Sequence, residues 1–274
     1  MRKIVLIIIL IVIIWSFWVE PNLLVMRNQN LDIKGLEGLK IVFIGDFHIK
    51  PHQKNRLAYI VKKINEQNPD LILSVGDFVS GHDPKQSLPI EEIAKELSNL
   101  KSKYGFYAVL GNHDWWQGGE KIQNVLEDNG VIVLSNENRR LKINDKIIYI
   151  AGVEDINTRN VDLNLALKGA NHPTILLTHS PDVFPFVTSE FNSKIVDKVD
   201  LTLAGHNHGG QIYLPIVGAL VVPSGYDNKK AQGLIEESGK KMFITKGIGT
   251  SILPVRFNCV PEIVVFTFGV KSER

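Results

Sequence analysis

Leu39-Lys40-Ile41-Val42-Phe43-Ile44-Gly45-Asp46-Phe47-His48 is an apolar run that passes directly into a glycine, a carboxylate and an imidazole. Such a run reads as a buried strand, and the glycine suits a sharp exit where a Cβ would obstruct the backbone. The junction recurs downstream. Leu71–Val75 runs into Gly76-Asp77, Phe106–Leu110 into Gly111-Asn112-His113-Asp114, Thr174–Leu177 into Thr178-His179, and Leu201–Ala204 into Gly205-His206-Asn207-His208. Further β-branched runs lie at Val131–Leu134 and Ile147–Ala151. Between several runs the apolar spacing turns helical. Leu57, Ile60, Val61 and Ile64 form one stripe, Ile93, Ala94, Leu97 and Leu100 a second, and Ile122, Val125 and Leu126 a third that Gly130 would cap. Strands that are apolar throughout, alternating with helices, imply an α/β fold with sheets covered on both faces. From Gln211 onward helical spacing disappears, and strand-like runs at Leu220–Val222, Met242–Thr245 and Ile263–Phe268 follow between Pro and Gly turns.

At 274 residues, 44% of them hydrophobic and 22% charged, the chain can bury a full core and is not a disordered or low-complexity polymer. Its 31 basic and 29 acidic side chains leave a net charge of +2, too small a field for a nucleic-acid binder, so no nucleic acid is expected as a partner. Cys259 is the only cysteine, which excludes an internal disulfide and a thiolate metal cluster. Any metal must be held by nitrogen and oxygen.

Ile4–Val19 is apolar except for Ser16, with Arg2 and Lys3 before it and Glu20-Pro21 behind. As a helix this run rises about 24 Å, against a hydrocarbon core of roughly 30 Å. Leu23–Met26 could extend it, and Trp15 and Trp18 suit an interfacial belt. No small-x-small cleavage motif follows, which favours an uncleaved anchor over a signal peptide, and no polar stripe marks a core helix. The expected plan is a membrane anchor over residues 1–26, a linker over 27–37 and a single catalytic domain over 38–270, at the cytoplasmic membrane. Arg2 and Lys3 favour a cytoplasmic N-terminus, whereas a segment that only dips into one leaflet leaves the side open.

In α/β sheets ligand sites gather at the carboxyl edge of the strands, so the polar residues at these junctions should converge. Asp46, His48, Asp77, Asn112, His179, His206 and His208 are too many ligands for one tetrahedral ion and suit two divalent ions sharing a bridge. A carboxylate is the natural bridge, and Asp77 lies in the middle of the series. Such a pair would attract phosphate oxygens and lower the pKa of a bound water, the setting for in-line attack on phosphorus. Asp-x-His or Gly-Asp alone is ordinary turn chemistry. The reading rests on their succession, each at the end of an expected strand.

The series Asp46-x-His48, Gly76-Asp77, Gly111-Asn112-His113-Asp114, His179 and Gly205-His206-x-His208 resembles the calcineurin-like metallophosphoesterases, over about residues 38–268. The resemblance implies a four-layer α/β sandwich of two β-sheets flanked by helices. It implies a first metal on Asp46, His48, Asp77 and His208 and a second on Asp77, Asn112, His179 and His206, with Mn²⁺ the first expectation and Fe or Zn²⁺ the alternatives. His113 would be the general acid or phosphate-polarising group, with Asp114 orienting its ring. The segment Phe78-Val79-Ser80-Gly81 lacks the arginine that Ser/Thr phosphatases of the superfamily carry after their Gly-Asp, which argues against a phosphoprotein substrate. Gly205–Gln211, Leu214-Pro215, Gly247–Thr250, Leu253–Arg256 and Pro261-Glu262 resemble a bacterial membrane-associated branch. That branch includes broad phosphodiesterases and a UDP-2,3-diacylglucosamine pyrophosphatase of lipid A synthesis.

The expected activity is hydrolysis of a phosphodiester or pyrophosphate bond, in a lipid-linked substrate such as UDP-2,3-diacylglucosamine. Membrane lipid is the expected partner, since an anchor concentrates the enzyme where a diacyl substrate lies. An envelope-facing broad phosphodiesterase is the alternative, and a non-catalytic metal-binding module is disfavoured because neither a ligand nor His113 is missing. Arg56, Arg159 and Arg256 are candidate phosphate clamps. His52 and His82 are candidate substrate contacts, and Lys229-Lys230 and Lys240-Lys241 candidate lipid contacts. A structural or solvated role is the preferred reading for each.

Overall fold

The computed structural model of the chain describes residues 1–190, 193–227 and 230–269. Helix α1 (Arg2–Ile14) continues through a π turn (Trp15–Val19) and a 3₁₀ turn (Glu20–Asn22) and leads into β1 (Val25–Leu31). Then follow β2 (Lys40–Ile44), α2 (Lys54–Asn65), β3 (Leu71–Ser74), α3 (Ile90–Leu97), β4 (Phe106–Ala108), α4 (Asn112–Trp116), α5 (Gly119–Asp128) and β5 (Val131–Val133). The second half comprises β6 (Glu137–Ile143), β7 (Lys146–Gly152), α6 (Leu163–Ala166), β8 (Thr174–Leu177), α7 (Phe184–Thr188), α8 (Ser193–Val196) and β9 (Val199–Ala204). A small ribbon of β10 (Tyr213–Leu214) and β11 (Gly218–Ala219) precedes β12 (Gly233–Glu237), β13 (Lys240–Ile244) and β14 (Glu262–Phe268).

Two six-stranded sheets, ordered β1-β14-β2-β3-β4-β5 and β12-β13-β9-β8-β7-β6, face each other. Strands β2, β3, β4 and β5 run parallel in the first, and β7, β8, β9 and β13 in the second. Between the sheets Phe43, Leu73 and Val109 meet Ile150, Leu177, Leu203 and Phe243. On the outer face of the first sheet, Val42, Ile44 and Ile72 pack on Leu57, Ile60 and Ile64 of α2, Ile93 and Leu97 of α3, and Ile122 and Leu126 of α5. Ala151, Leu176 and Met242 of the second pack on Leu163, Phe184 and Val196 of α6 to α8. Each such aliphatic or aromatic side chain contributes about 1.5–3 kcal/mol relative to exposure. The result is the α/β fold that the strand–helix alternation implies, in the four layers that the family resemblance implies, with an apolar N-terminal helix attached.

The expected linker over 27–37 is a strand at its start: β1 pairs in parallel with β14 from Val25↔Glu262 to Leu31↔Phe268. Its sequence, Val-Met-Arg-Asn-Gln-Asn-Leu, hides this because an edge strand keeps a polar, half-exposed face. Strands β6 and β12, the edges of the second sheet, were unmarked in the sequence for the same reason. Conversely Leu220–Val222 is not a strand. The ribbon ends at Ala219; Leu220 N–H still donates to the Ile212 carbonyl (3.2 Å), but no strand of the described residues continues through 220–222, and Leu220 and Val221 stay exposed. Lys229 and the expected last domain residue, 270, lie outside the described residues.

Candidate metal centre

The carboxyl ends of β2, β3 and β4 meet those of β8 and β9 across the gap between the sheets. Asp46 N–H donates to the Gly76 carbonyl (2.9 Å) and His48 N–H to the Asp77 carbonyl (3.0 Å) within the first sheet. In the second, Gly205 N–H donates to the His179 carbonyl (2.9 Å). The two rims are tied by His206 N–H, which donates to Asp46 Oδ1 (3.0 Å).

The backbone takes its turns at the polar residues themselves. Asp46, His48, Asp77, His206 and His208 have φ of 49°, 40°, 53°, 67° and 49°. This left-handed region is tolerated best by Asp, Asn and His, at a cost of order 1–3 kcal/mol each. The neighbouring glycines chiefly supply room. A Cβ on Gly111 would lie 2.2 Å from Asp77 Oδ1, and one on Gly205 2.8 Å from Asp46 Oδ2.

All seven candidate ligands come together, and all but His206 are buried. His48 Nε2 and His208 Nε2 are 3.0 Å apart. His179 Nε2 lies 3.1 Å from His206 Nδ1 and 2.9 Å from Asn112 Oδ1. Asp77 Oδ2 sits between the two groups, 3.2 Å from His48 Nε2 and 3.4 Å from His179 Nε2. Asp46 Oδ2 is buried with no hydrogen-bond partner. Donor atoms at metal–ligand distances of about 2.0–2.2 Å lie roughly 2.9–3.4 Å apart around one ion, the spacing found here. The residues therefore fit divalent cations. Among the described residues the triads Asp46–His48–His208 and Asp46–Asp77–His179 are each compact enough to hold one.

The electrostatics point the same way. Burial pushes the Asp46 carboxyl up. Burial also opposes ionisation of Asp77, but His179 and His48 beside it prevail and hold it well below the usual range. His179 would be discharged by burial, yet Asp77 and Asp46 push it up to about 10. A proton there offsets the negative charge that cations would neutralise, so loading should release protons. Burial and His179 lower His206 to about 3, and burial and His48 lower His208 as well, leaving both neutral as ligands must be.

His113 stands edge-on to His48, ring centroids 4.6 Å apart. Its Nδ1 lies 2.9 Å from the Gly81 carbonyl, a contact that requires Nδ1–H as donor and leaves Nε2 facing the centre, 3.5 Å from Ser251 Oγ. Burial lowers this imidazole to about 4. Asp114 does not orient that ring as expected. Its carboxylate accepts the N–H groups of Gly111, Asp77, Phe78 and Val79 at 2.8–3.2 Å, shaping the loop that carries Asp77. Trp116, stacked on His82 at 4.1 Å, walls one side of His113; adjacent Trp115-Trp116 after the motif was the signal for it.

The arginines serve the scaffold. Fully buried Arg256 donates to the carbonyls of Lys246, Gly249 and Cys259 and approaches His208 Nδ1 at 3.5 Å. Arg56 donates to the carbonyls of Asn22, Leu23 and Ile248, and Arg159 lies over the Trp115 ring. Lys230 pairs with Glu237, and Lys240 Nζ donates to the carbonyls of Val196, Asp197 and Val199.

Residues 39–210 match the calcineurin-like phosphoesterase family. The chain is 31% identical to the uncharacterized metallophosphoesterase YkuE of Bacillus subtilis over 262 residues, 92% of this chain and 88% of that one. It is 32% identical to an uncharacterized metallophosphoesterase of Helicobacter pylori over 86% of this chain, but spans only 61% of that longer protein. Among solved structures, the calcineurin-like phosphoesterase YfkN from Bacillus subtilis is similar at a TM-score of 0.42, with 14% identity over 77% of this chain and 81% of that one.

Proposed function

We propose, from the premise that this chain belongs to the calcineurin-like phosphoesterase family and is a phosphoric ester hydrolase, that it cleaves a phosphodiester or pyrophosphate bond in a membrane-lipid substrate. The observation that carries this reading is Asp77 Oδ2, set between a pair of histidines on either side. In this assignment Asp46, His48, Asp77 and His208 hold one divalent cation, and Asp77, Asn112, His179 and His206 the other. The oxygen and nitrogen donors suit Mn²⁺, Fe or Zn²⁺. When bound, the cations supply a water nucleophile at neutral pH and polarise the phosphoryl oxygens.

The chain's own residues do the rest. His113, neutral at rest, presents Nε2 to the centre; the negative charge of an arriving phosphodiester favours its protonation from solvent, and Nε2–H then donates that proton to the departing oxygen. The Gly81 carbonyl holds the ring's tautomer through Nδ1–H. Asp114 acts as a positioning residue, fixing the Asp77 loop through backbone amides. Helix α1 and the two turns after it, Arg2–Asn22, are long and apolar enough to cross a membrane. We read them as an anchor in the cytoplasmic membrane, with the catalytic unit starting at β1.

The test uses the full chain in detergent, loaded with Mn²⁺ and followed by phosphorus NMR on a bis-aryl phosphodiester, a phospholipid diester and UDP-2,3-diacylglucosamine. Diester hydrolysis is expected, lost in Asp77→Ala together with the bound metal. Release of UMP and a lipid monophosphate would assign the lipid A reaction; cleavage of the diesters alone would assign an envelope phosphodiesterase. A metal-loaded chain that hydrolyses none of the three overturns the reading.

A further inference from the structure

Ser16 and Glu20, in the turns that continue α1, are buried against the domain. The Ser16 carbonyl accepts Arg256 N–H (2.9 Å), and the Glu20 carboxylate accepts Trp15 Nε1–H and Cys259 N–H. Along a helix Ser16 is only about 21 Å from Arg2, short of the roughly 30 Å of hydrocarbon that the anchor must cross. If Arg2 stays at one surface, the 251–257 segment, bonded through Arg256 to Ser16, lies about 9 Å inside the opposite edge of the hydrocarbon. Tilting the helix sinks it further.

The residues around this junction match that depth. Ile216 and Ile252 are fully exposed, and Val217, Leu220, Val221 and Leu253 largely so. Residues 212–222 and 251–255 contain no charged side chain. The two loops are joined: Gln211 Oε1 accepts Ser251 N–H (2.7 Å), and Tyr213 N–H donates to the Phe257 carbonyl (2.9 Å). Ile216 and Ile252 hold φ of 74° and 59°. That conformation is a true outlier for a β-branched residue, where glycine or asparagine would serve a water-exposed turn. Beside them a groove of about 360 Å³ lies between Phe17 and Trp18 of the helix end and Lys50 and His52 of the domain, an apolar-and-cationic pairing suited to headgroup phosphates.

We infer that the 213–219 ribbon, with Leu220 and Val221 after it, and the 251–254 loop insert into the bilayer beside the N-terminal helix, so that the candidate metal centre opens onto the headgroup layer. Ser251, at the start of the inserted loop, is the link, since its Oγ lies 3.5 Å from His113 Nε2. The inference rests on the membrane-anchor part of the proposed function but not on its chemistry.

Ile216→Cys, Ile252→Cys and, as a control at the opposite end of the sheets, Asp145→Cys would each be labelled with an environment-sensitive NBD dye. Cys259 is buried and stays unlabelled. The full chain is reconstituted in phosphatidylglycerol–phosphatidylethanolamine vesicles containing doxyl-labelled lipid. Blue-shifted, quenched emission is expected at 216 and 252 and not at 145. Emission at 216 and 252 like that at 145, or a chain that does not partition into the vesicles, overturns the inference. In parallel, Ile216→Ser/Ile252→Ser should lower hydrolysis of vesicle-borne diester by at least about tenfold relative to the soluble bis-aryl diester. An unchanged ratio would also count against insertion. Loss of activity on both substrates in the unsubstituted chain, with quenching retained, would instead refute the hydrolytic reading alone.

Discussion

Asp114 adjoins His113 in sequence, yet the two side chains serve different groups. The carboxylate gathers backbone amides under the Asp77 loop, and the imidazole leans on the Gly81 carbonyl. The site's membership was legible because each member follows a strand end, and strand ends converge by topology. Which atom faces which was not, since side-chain torsions and tertiary carbonyls such as that of Gly81 leave no mark in the motif. The difference is measurable. His113→Ala should retain two metal ions per chain by elemental analysis and lose at least about 10²-fold in kcat, the usual scale of acid–base help. A mutant with normal turnover would remove His113 from the chemistry.

At the scale of elements, the central strands were readable because both faces are buried, and the stripes of α2, α3 and α5 because one face is. Leu100 lies past the end of α3, whose helical turns stop at Leu97. The edge strand β5 is apolar and legible, but the edges β1, β6 and β12 trade apolar continuity for a polar outer row. The tight junctions between elements make a further prediction. In Gly111→Ala the new Cβ would fall 2.2 Å from Asp77 Oδ1 and 2.7 Å from the His179 ring, between two candidate ligands that are both buried. Far-UV circular dichroism should be unchanged, while metal affinity drops by at least about tenfold, within the range seen when the support of a ligand is disturbed. Unaltered metal titration would mean that the Asp77 loop yields freely.

For the molecule as a whole, the alternation of runs and stripes implies an α/β fold and the family resemblance its two-sheet sandwich, but neither shows the bond between the N-terminal helix and the domain. Ser16 and Glu20 carry no motif, Arg56 and Arg256 read as candidate phosphate clamps rather than as parts of this joint, and the pairs Ser16–Arg256, Glu20–Cys259 and Asn22–Arg56 lie far apart in sequence. Truncation should expose the difference. Removing residues 1–14 leaves these contacts and β1 in place, and the product should remain folded. Removing residues 1–31 strips β1 and bares the edge of β14, an apolar strand that would then invite pairing between molecules. Size-exclusion chromatography should show the longer truncation aggregating and the shorter one not. Equal behaviour of the two would deny β1 its part in the sheet.

Strand β1 also decides how force enters the protein. Its parallel register with β14 spans seven residue pairs, and β14 lies against β2, whose end carries Asp46. With the N-terminal helix held in a bilayer as proposed, lateral drag on the domain would pull β1 along its own axis and load all seven rungs together. They must fail in shear as a set, whereas a hairpin tugged at its open end would unzip one rung at a time. Such a tether would be a mooring that can bear tension, and the strain it transmits would arrive one strand away from the candidate metal ligands.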